Sequence, residues 1–190
     1  MRFLLMSLGL MIVTASVQAE SAGYAYFPPF DPEQHHRVLI TQGFGSDEFN
    51  SGVRTHNDAV NYYAVDLLLK QGDAVCAAWS GEVIQVFNGE GLGWFEGNKH
   101  SNYVRILHDT QQIGDYQHLL SGSINVQIGE RVDIGQCFAK VGVSGKTNGA
   151  HLHFALLERR SDGRLVSVPF WFVDADGRVK KPTYLHWVYH

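Results

Sequence analysis

Residues 151–154 read His-Leu-His-Phe. On a β-strand, positions two apart share a face, so His151 and His153 would present two imidazoles on one side while Leu152 and Phe154 point to the other. Two neighbouring imidazoles form either a bidentate metal platform or one ligand beside one catalytic base. Asp66 is a second signal. It stands inside the apolar run YYAVDLLL (62–69), where a carboxylate is costly unless it is paired or bound to a metal. The alternative is a carboxylate at a strand end that reaches solvent or caps a turn. His56 lies ten residues earlier in the polar stretch RTHNDAVN, and His118 sits in DYQHLL. Together His56, Asp66 and His153 offer two nitrogens and one oxygen, a set that suits zinc with a fourth position open to water. The aspartate offsets one of the two metal charges and leaves a site still able to acidify water. His118 and His151 would then stand beside the metal, able to carry a proton or to stabilise an oxyanion.

Such groups need a rigid frame, and the remaining sequence predicts one built from strands. The 190 residues are 45% hydrophobic and only 18% charged, with twenty glycines. That composition supports one domain with a real core and excludes a disordered or fibrous chain. The formal charge of -4 excludes a strongly basic nucleic-acid-binding surface. Short segments rich in β-branched and aromatic residues recur from Val38 onward: VLITQGF, YYAVDLLL, AVCAAW, GEVIQVF, NYVRILH, GDYQHLL, RVDIG, CFAKVG, HLHFALLE and RLVSVPF. Gly, Asn, Asp and Ser clusters separate them. Outside the N-terminus no segment keeps a 3.6-residue apolar period over a helical length. The expectation is a mainly β, antiparallel domain. SDGR (161–164) and DADGR (174–178) are hairpin-turn sequences. Residues 88–101 form a longer Gly-rich loop, and its Trp94 is a candidate for lining a substrate groove.

The first nineteen residues place one arginine before an apolar run and end in Val17-Gln18-Ala19, the three-part pattern of a secretory signal peptide. The run is too short to span a bilayer comfortably. Residues 1–19 are therefore expected to be removed on export to the periplasm or the medium. Residues 20–37 are expected to form an irregular arm, and residues 38–190 the functional domain. An oxidising compartment would allow Cys76 and Cys137 to form a disulfide; two buried thiols are the alternative.

Three stretches resemble the lysostaphin-type, LytM-like zinc endopeptidases of bacterial cell walls. The first pairs His56 with Asp66 and continues through Gly72-Asp73-Ala74-Val75 and Ser80-Gly81-Glu82-Val83. The second contains Asn102, Tyr103, His108, Tyr116 and His118. The third carries Gly129, Gly135, Gly142, Ser144, Gly145 and Gly149 and ends at His151 and His153. The resemblance runs from about Gln42 to Phe172. It implies a twisted antiparallel sheet of the duplicated hybrid-motif type with a metal-binding groove. It also implies one zinc ion held by His56, Asp66 and His153, with His118 and His151 as catalytic histidines, and Tyr116 is a further groove candidate. In many members the first His and the Asp are four residues apart, but Tyr62 stands four before Asp66; His56 matches a longer form. His100, His35 and His36 are the alternatives for that ligand. Ala150 stands where proline is frequent.

The activity implied is hydrolysis of peptide bonds, most often in peptidoglycan cross-links, by an exported monomer. Peptidoglycan or another peptide would be its partner, with neither nucleic acid nor a membrane-inserted segment in the mature chain. The alternative is a non-catalytic module of the same fold that regulates other wall hydrolases. A closed structural zinc site is disfavoured, because the two cysteines form no CxxC pair. The bond cleaved, periplasm against medium, and which of His118 and His151 is the base stay open at this level.

Overall fold

The computed structural model describes residues 24–45, 56–89, 100–174, 176–183 and 185–189. The expected signal peptide and Trp94 lie outside these residues. The described chain is all β. Its strands are β1 (Tyr24–Tyr26), β2 (Arg37–Gln42), β3 (Val65–Leu67), β4 (Ala74–Cys76), β5 (Gly81–Phe87), β6 (Tyr103–His108), β7 (Ile113–Gln117), β8 (Arg131–Val132), β9 (Cys137–Lys140), β10 (Leu152–Arg159), β11 (Leu165–Ser167), β12 (Phe170–Val173), β13 (Val179–Lys180) and β14 (Trp187–Tyr189). No helix among the described residues is long and apolar enough to cross a membrane.

Nine strands form the main sheet in the order β14-β2-β3-β10-β7-β6-β5-β8, with β11 on the end of β10. All of its pairings are antiparallel. The two turn sequences join β10 to β11 and β12 to β13 as hairpins. β4 pairs with β9, and a Cys76–Cys137 disulfide joins them.

The eight-residue strand β10 is central, with β3 on one side and β7 on the other. Its two faces have different neighbours. Leu152, Phe154 and Leu156 belong to the main core, with Phe44, Tyr116, Phe138, Phe170 and Phe172. Phe154 makes edge or tilted contacts with Tyr116, Phe170 and Phe172 at centroid distances of 5.0 to 6.2 Å, a geometry favoured by ring quadrupoles. The opposite face carries His153 at one end. Further along, Ala155 and Leu157 pack with Ala64 and Ile113 in a small second cluster. One end of this face is thereby sealed by apolar packing while the other is open.

The arm expected to be irregular contributes β1, which pairs in parallel with β12. Tyr26 and Phe30 are fully buried, so this segment is part of the core rather than a strap over it.

Candidate metal centre

Three strands bring the site together. Asp66 on β3 and His153 on β10 are direct cross-strand partners, and Gln117 on β7 faces His153 from the other side. Side chains directly opposite one another share a face, so this row lies on the open side of the sheet. His56 joins it from the segment before β3. Its Nε2 lies 3.4 Å from Asp66 Oδ1, and His153 Nδ1 lies 3.0 Å from the same oxygen. One donor atom from each of the three residues falls within 4.8 Å of the other two. A tetrahedral zinc with bonds of about 2.0–2.1 Å has ligand-to-ligand edges of about 3.3 Å. The nitrogen and oxygen chemistry of the donor set, and the 3.4 and 3.0 Å spacings of the two imidazoles from Asp66, therefore fit zinc.

The second nitrogens of these rings are already engaged. His56 Nδ1 donates to Gly43 O at 3.0 Å, which leaves Nε2 with a lone pair toward Asp66. His153 Nε2 lies 3.1 Å from Asn61 Oδ1. Such partners orient metal-binding imidazoles and set their tautomers.

His118 and His151 flank the trio. Their ring centroids are 4.5 Å apart, and His118 is 5.8 Å from His153. His151 Nε2 is 3.6 Å from Asp66 Oδ1. His118 Nδ1 donates to Ser144 O at 2.8 Å, and His151 Nδ1 to Gly149 O at 3.0 Å. Both rings therefore turn a lone-pair Nε2 away from the backbone. Gly145 has a φ of 75° and a Cβ there would overlap Ser101; glycine tolerates both constraints. Ser101 Oγ can thus reach 3.2 Å from His118 Nδ1.

The backbone at His118 explains how it joins the site. Alternation along β7 puts Gln117 on the open face and Tyr116 in the core, so His118 would also face the core. His118 instead has a φ of 62°, a left-handed conformation uncommon for a residue other than glycine. Alternation breaks there, and Gln117 and His118 both line the open groove.

Burial and charge set the protonation of these groups. Burial pushes His118 down to about 3, assisted by the neighbouring His151 and His153 charges. His151 is also lowered by burial, which outweighs the pull of Asp66. Burial alone would raise Asp66, but the His153 and His56 imidazoles against it, with the nearby His151, hold it well below the usual carboxylate range. Burial would lower His153, but the Asp66 carboxylate outweighs it and the net shift is upward.

The five histidine and aspartate positions open onto one groove of about 700 Å³, which is also lined by Thr41, Leu68, Gln117 and Lys146. Tyr116 does not reach it. That side chain is fully buried on the core face of β7, and its hydroxyl accepts the Ala78 N–H at 2.9 Å. Tyr116 is thus corrected from groove candidate to core residue. Neither His35, His36 nor His100 lines the groove; His35 instead meets Asp73 at 2.8 Å. Asn61 and Ser101 were not singled out by sequence. The Asn61 signal lay in its place within NDAVN, between His56 and Asp66.

Comparison with known proteins agrees with the fold. The chain is 24% identical over 136 residues to the glycyl-glycine endopeptidase ALE-1 of Staphylococcus capitis, an alignment covering 72% of this chain and 34% of that protein. The chain thus spans about a third of that relative's length. A zinc-containing peptidase from Vibrio cholerae superposes with a TM-score of 0.52 at 30% identity, over 76% of this chain and 39% of its own. A chain of the SpoIIQ–SpoIIIAH pore-forming complex shares the fold, with a TM-score of 0.51 at 19% identity over 84% of this chain and 94% of its own. The sequence model of peptidase family M23 matches residues 60–166, more than half of the chain, and the chain belongs to that family.

Proposed function

We propose that this protein is an exported zinc metalloendopeptidase that cleaves peptide bonds in peptidoglycan cross-links. The observation that carries this reading is the convergence of five groups in one groove: the His56, Asp66 and His153 donor atoms within 4.8 Å of one another, with His118 and His151 beside them. The named activity of the ALE-1 relative and the zinc of the Vibrio cholerae peptidase support it.

In this reading His56 Nε2, Asp66 Oδ1 and His153 Nδ1 hold the ion. When bound, zinc supplies Lewis acidity toward a carbonyl and acidifies water. The chain's own histidines manage the protons. Both His118 and His151 are held with Nδ1–H on a backbone carbonyl, so each offers a lone pair at Nε2. One of them accepts the proton of the attacking water. The imidazolium so formed becomes a donor, able to stabilise the developing oxyanion of the substrate and to protonate the leaving amine. The two Nδ1 anchors keep the rings in place through both stages. A module that only regulates other hydrolases would have no need of both extra imidazoles, and both are in place.

The test is digestion of purified peptidoglycan by residues 20–190, with and without a chelator, followed by mass spectrometry of the products. New amino termini that disappear with chelator and return with zinc are expected, and they name the bond. Intact walls in the presence of zinc-loaded protein would overturn the wall-peptidase assignment in favour of another peptide substrate or the regulatory module.

A further inference from the structure

We propose that Asn61 is a positioning residue for the metal centre. Its side-chain amide holds His153 with the proton on Nε2 and the lone pair on Nδ1, and the Asp58 carboxylate holds that amide. The inference rests on the assignment of His56, Asp66 and His153 as zinc ligands.

Hydrogen-bond bookkeeping fixes the direction of every link. A carboxylate only accepts, so the Asn61 group 2.7 Å from Asp58 Oδ2 is the amide Nδ2. That leaves Asn61 Oδ1 facing His153 Nε2 at 3.1 Å. An amide oxygen also only accepts, so His153 Nε2 carries the hydrogen. Nδ1 is then the atom left to bind a metal, and it is the atom that lies 3.0 Å from Asp66 Oδ1. Reversing the Asn61 amide would set an N–H against the imidazole N–H and an oxygen against a carboxylate. Asp58 is itself tied to the turn: its Oδ1 accepts the N–H groups of Val60 and Asn61 at 2.8 and 3.0 Å.

The segment that carries Asn61 is anchored rather than draped in solvent. Val60 and Ala64 pack into the small cluster formed with Ile113, Ala155 and Leu157 on the site-bearing face of β10. Ser167 on β11 donates its N–H to Ala59 O at 2.8 Å, and its hydroxyl accepts the Tyr63 N–H at 3.0 Å. Two neighbouring elements thus hold the turn in place beneath His153. This gives the ten-residue separation of His56 and Asp66 a physical role. After leaving His56, the chain turns on Asp58, sets the Asn61 amide against the ligand donated by β10, and only then enters β3. Outer partners of metal-bound histidines fix the ring and its tautomer, and their loss costs metal affinity.

The test compares wild type, Asn61→Ala and the double variant Asp58→Asn/Asn61→Asp, which exchanges the amide and the carboxylate. Zinc affinity is read by competition with a chromophoric chelator. The zinc-bound His153 ring is read from its nitrogen-15 NMR signals. Asn61→Ala is expected to bind zinc roughly 10- to 100-fold more weakly and to lose slow exchange of the His153 Nε2–H. The exchanged pair is expected to restore both, which a purely structural role for Asn61 would not predict. Metal-free melting temperatures exclude a folding defect. Unchanged zinc affinity and unchanged ring signals in Asn61→Ala would overturn the proposal. So would a double variant that melts like wild type yet binds zinc as weakly as Asn61→Ala. Wild-type protein that takes up no zinc would overturn the metal assignment itself, and this inference with it.

Discussion

His118 and His151 face each other at 4.5 Å between ring centroids, and each gives its Nδ1 hydrogen to a main-chain carbonyl, Ser144 O for one and Gly149 O for the other. The two reach this arrangement differently. His151 immediately precedes β10, whereas His118 depends on a left-handed residue at the end of β7. In the proposed reading the ion is held by His56, Asp66 and His153, and these two rings stand beside it.

Replacing either one should therefore separate chemistry from metal binding. His118→Ala and His151→Ala are expected to lower kcat on wall peptides by roughly 10²- to 10⁴-fold while keeping one zinc per chain. Metal analysis alongside turnover checks this. A variant that keeps a tenth or more of wild-type kcat would remove that histidine from the mechanism.

The donor trio predicts the opposite outcome. Asp66→Ala should leave His56 and His153 without the carboxylate that both contact at 3.4 and 3.0 Å, and His153→Ala removes a donor outright. Both variants should purify without zinc and without activity. Zinc at a hundred times its dissociation constant should stabilise wild type by about 2.7 kcal/mol, a melting shift on the order of 5–10 °C for a domain of this size. Neither variant should show that shift. Thermal scans with zinc and with chelator measure it, and a full shift in Asp66→Ala would refute the ligand assignment.

Much of the frame was legible in sequence because short alternating segments and turn residues are local signals. The central strand shows this well. HLHFALLE reads as a strand, and Leu152–Arg159 form β10 with His151 just ahead of it. β1 was hidden because Tyr24–Tyr26 is only three residues long and runs straight into Pro28-Pro29 and a polar stretch, while its partners, β12 and the core around Tyr26, are distant in sequence. Tyr116 was misplaced because motif proximity to His118 says nothing about face: Tyr116 and Gln117 alternate, and only Gln117 looks outward. His118 escapes the same alternation through a backbone conformation that no periodicity encodes. Asn61 was invisible because its partner, His153, is ninety-two residues away.

The disulfide gives a prediction about the scaffold. Cys76 and Cys137 are 61 residues apart and join β4 to β9. Closing a loop of that length restricts the unfolded chain by an amount the chain-entropy model puts at about 4 kcal/mol. The double variant Cys76→Ser/Cys137→Ser should lose about 2–4 kcal/mol in urea unfolding at pH 7, with zinc stoichiometry unchanged because neither cysteine lines the groove. Loss of zinc binding in a folded double variant would contradict this separation.

His108 supplies a pH dependence that does not involve the metal centre. The ring is fully buried at the end of β6, with Nε2 3.3 Å from the Tyr116 hydroxyl, and burial pushes it down to about 4. In the unfolded chain the same group titrates near 6.5. Below 6.5 the unfolded state binds a proton that the folded state refuses, so stability falls as the pH drops and the loss is complete near pH 4. The shift corresponds to a loss of about 3 kcal/mol. His108→Gln keeps a polar group beside Tyr116 but cannot titrate. Its stability should change less than that of wild type between pH 7 and pH 4, whatever its starting value. Urea unfolding across that range, run on metal-free protein, compares the two slopes; parallel slopes would mean that His108 is protonated within the fold.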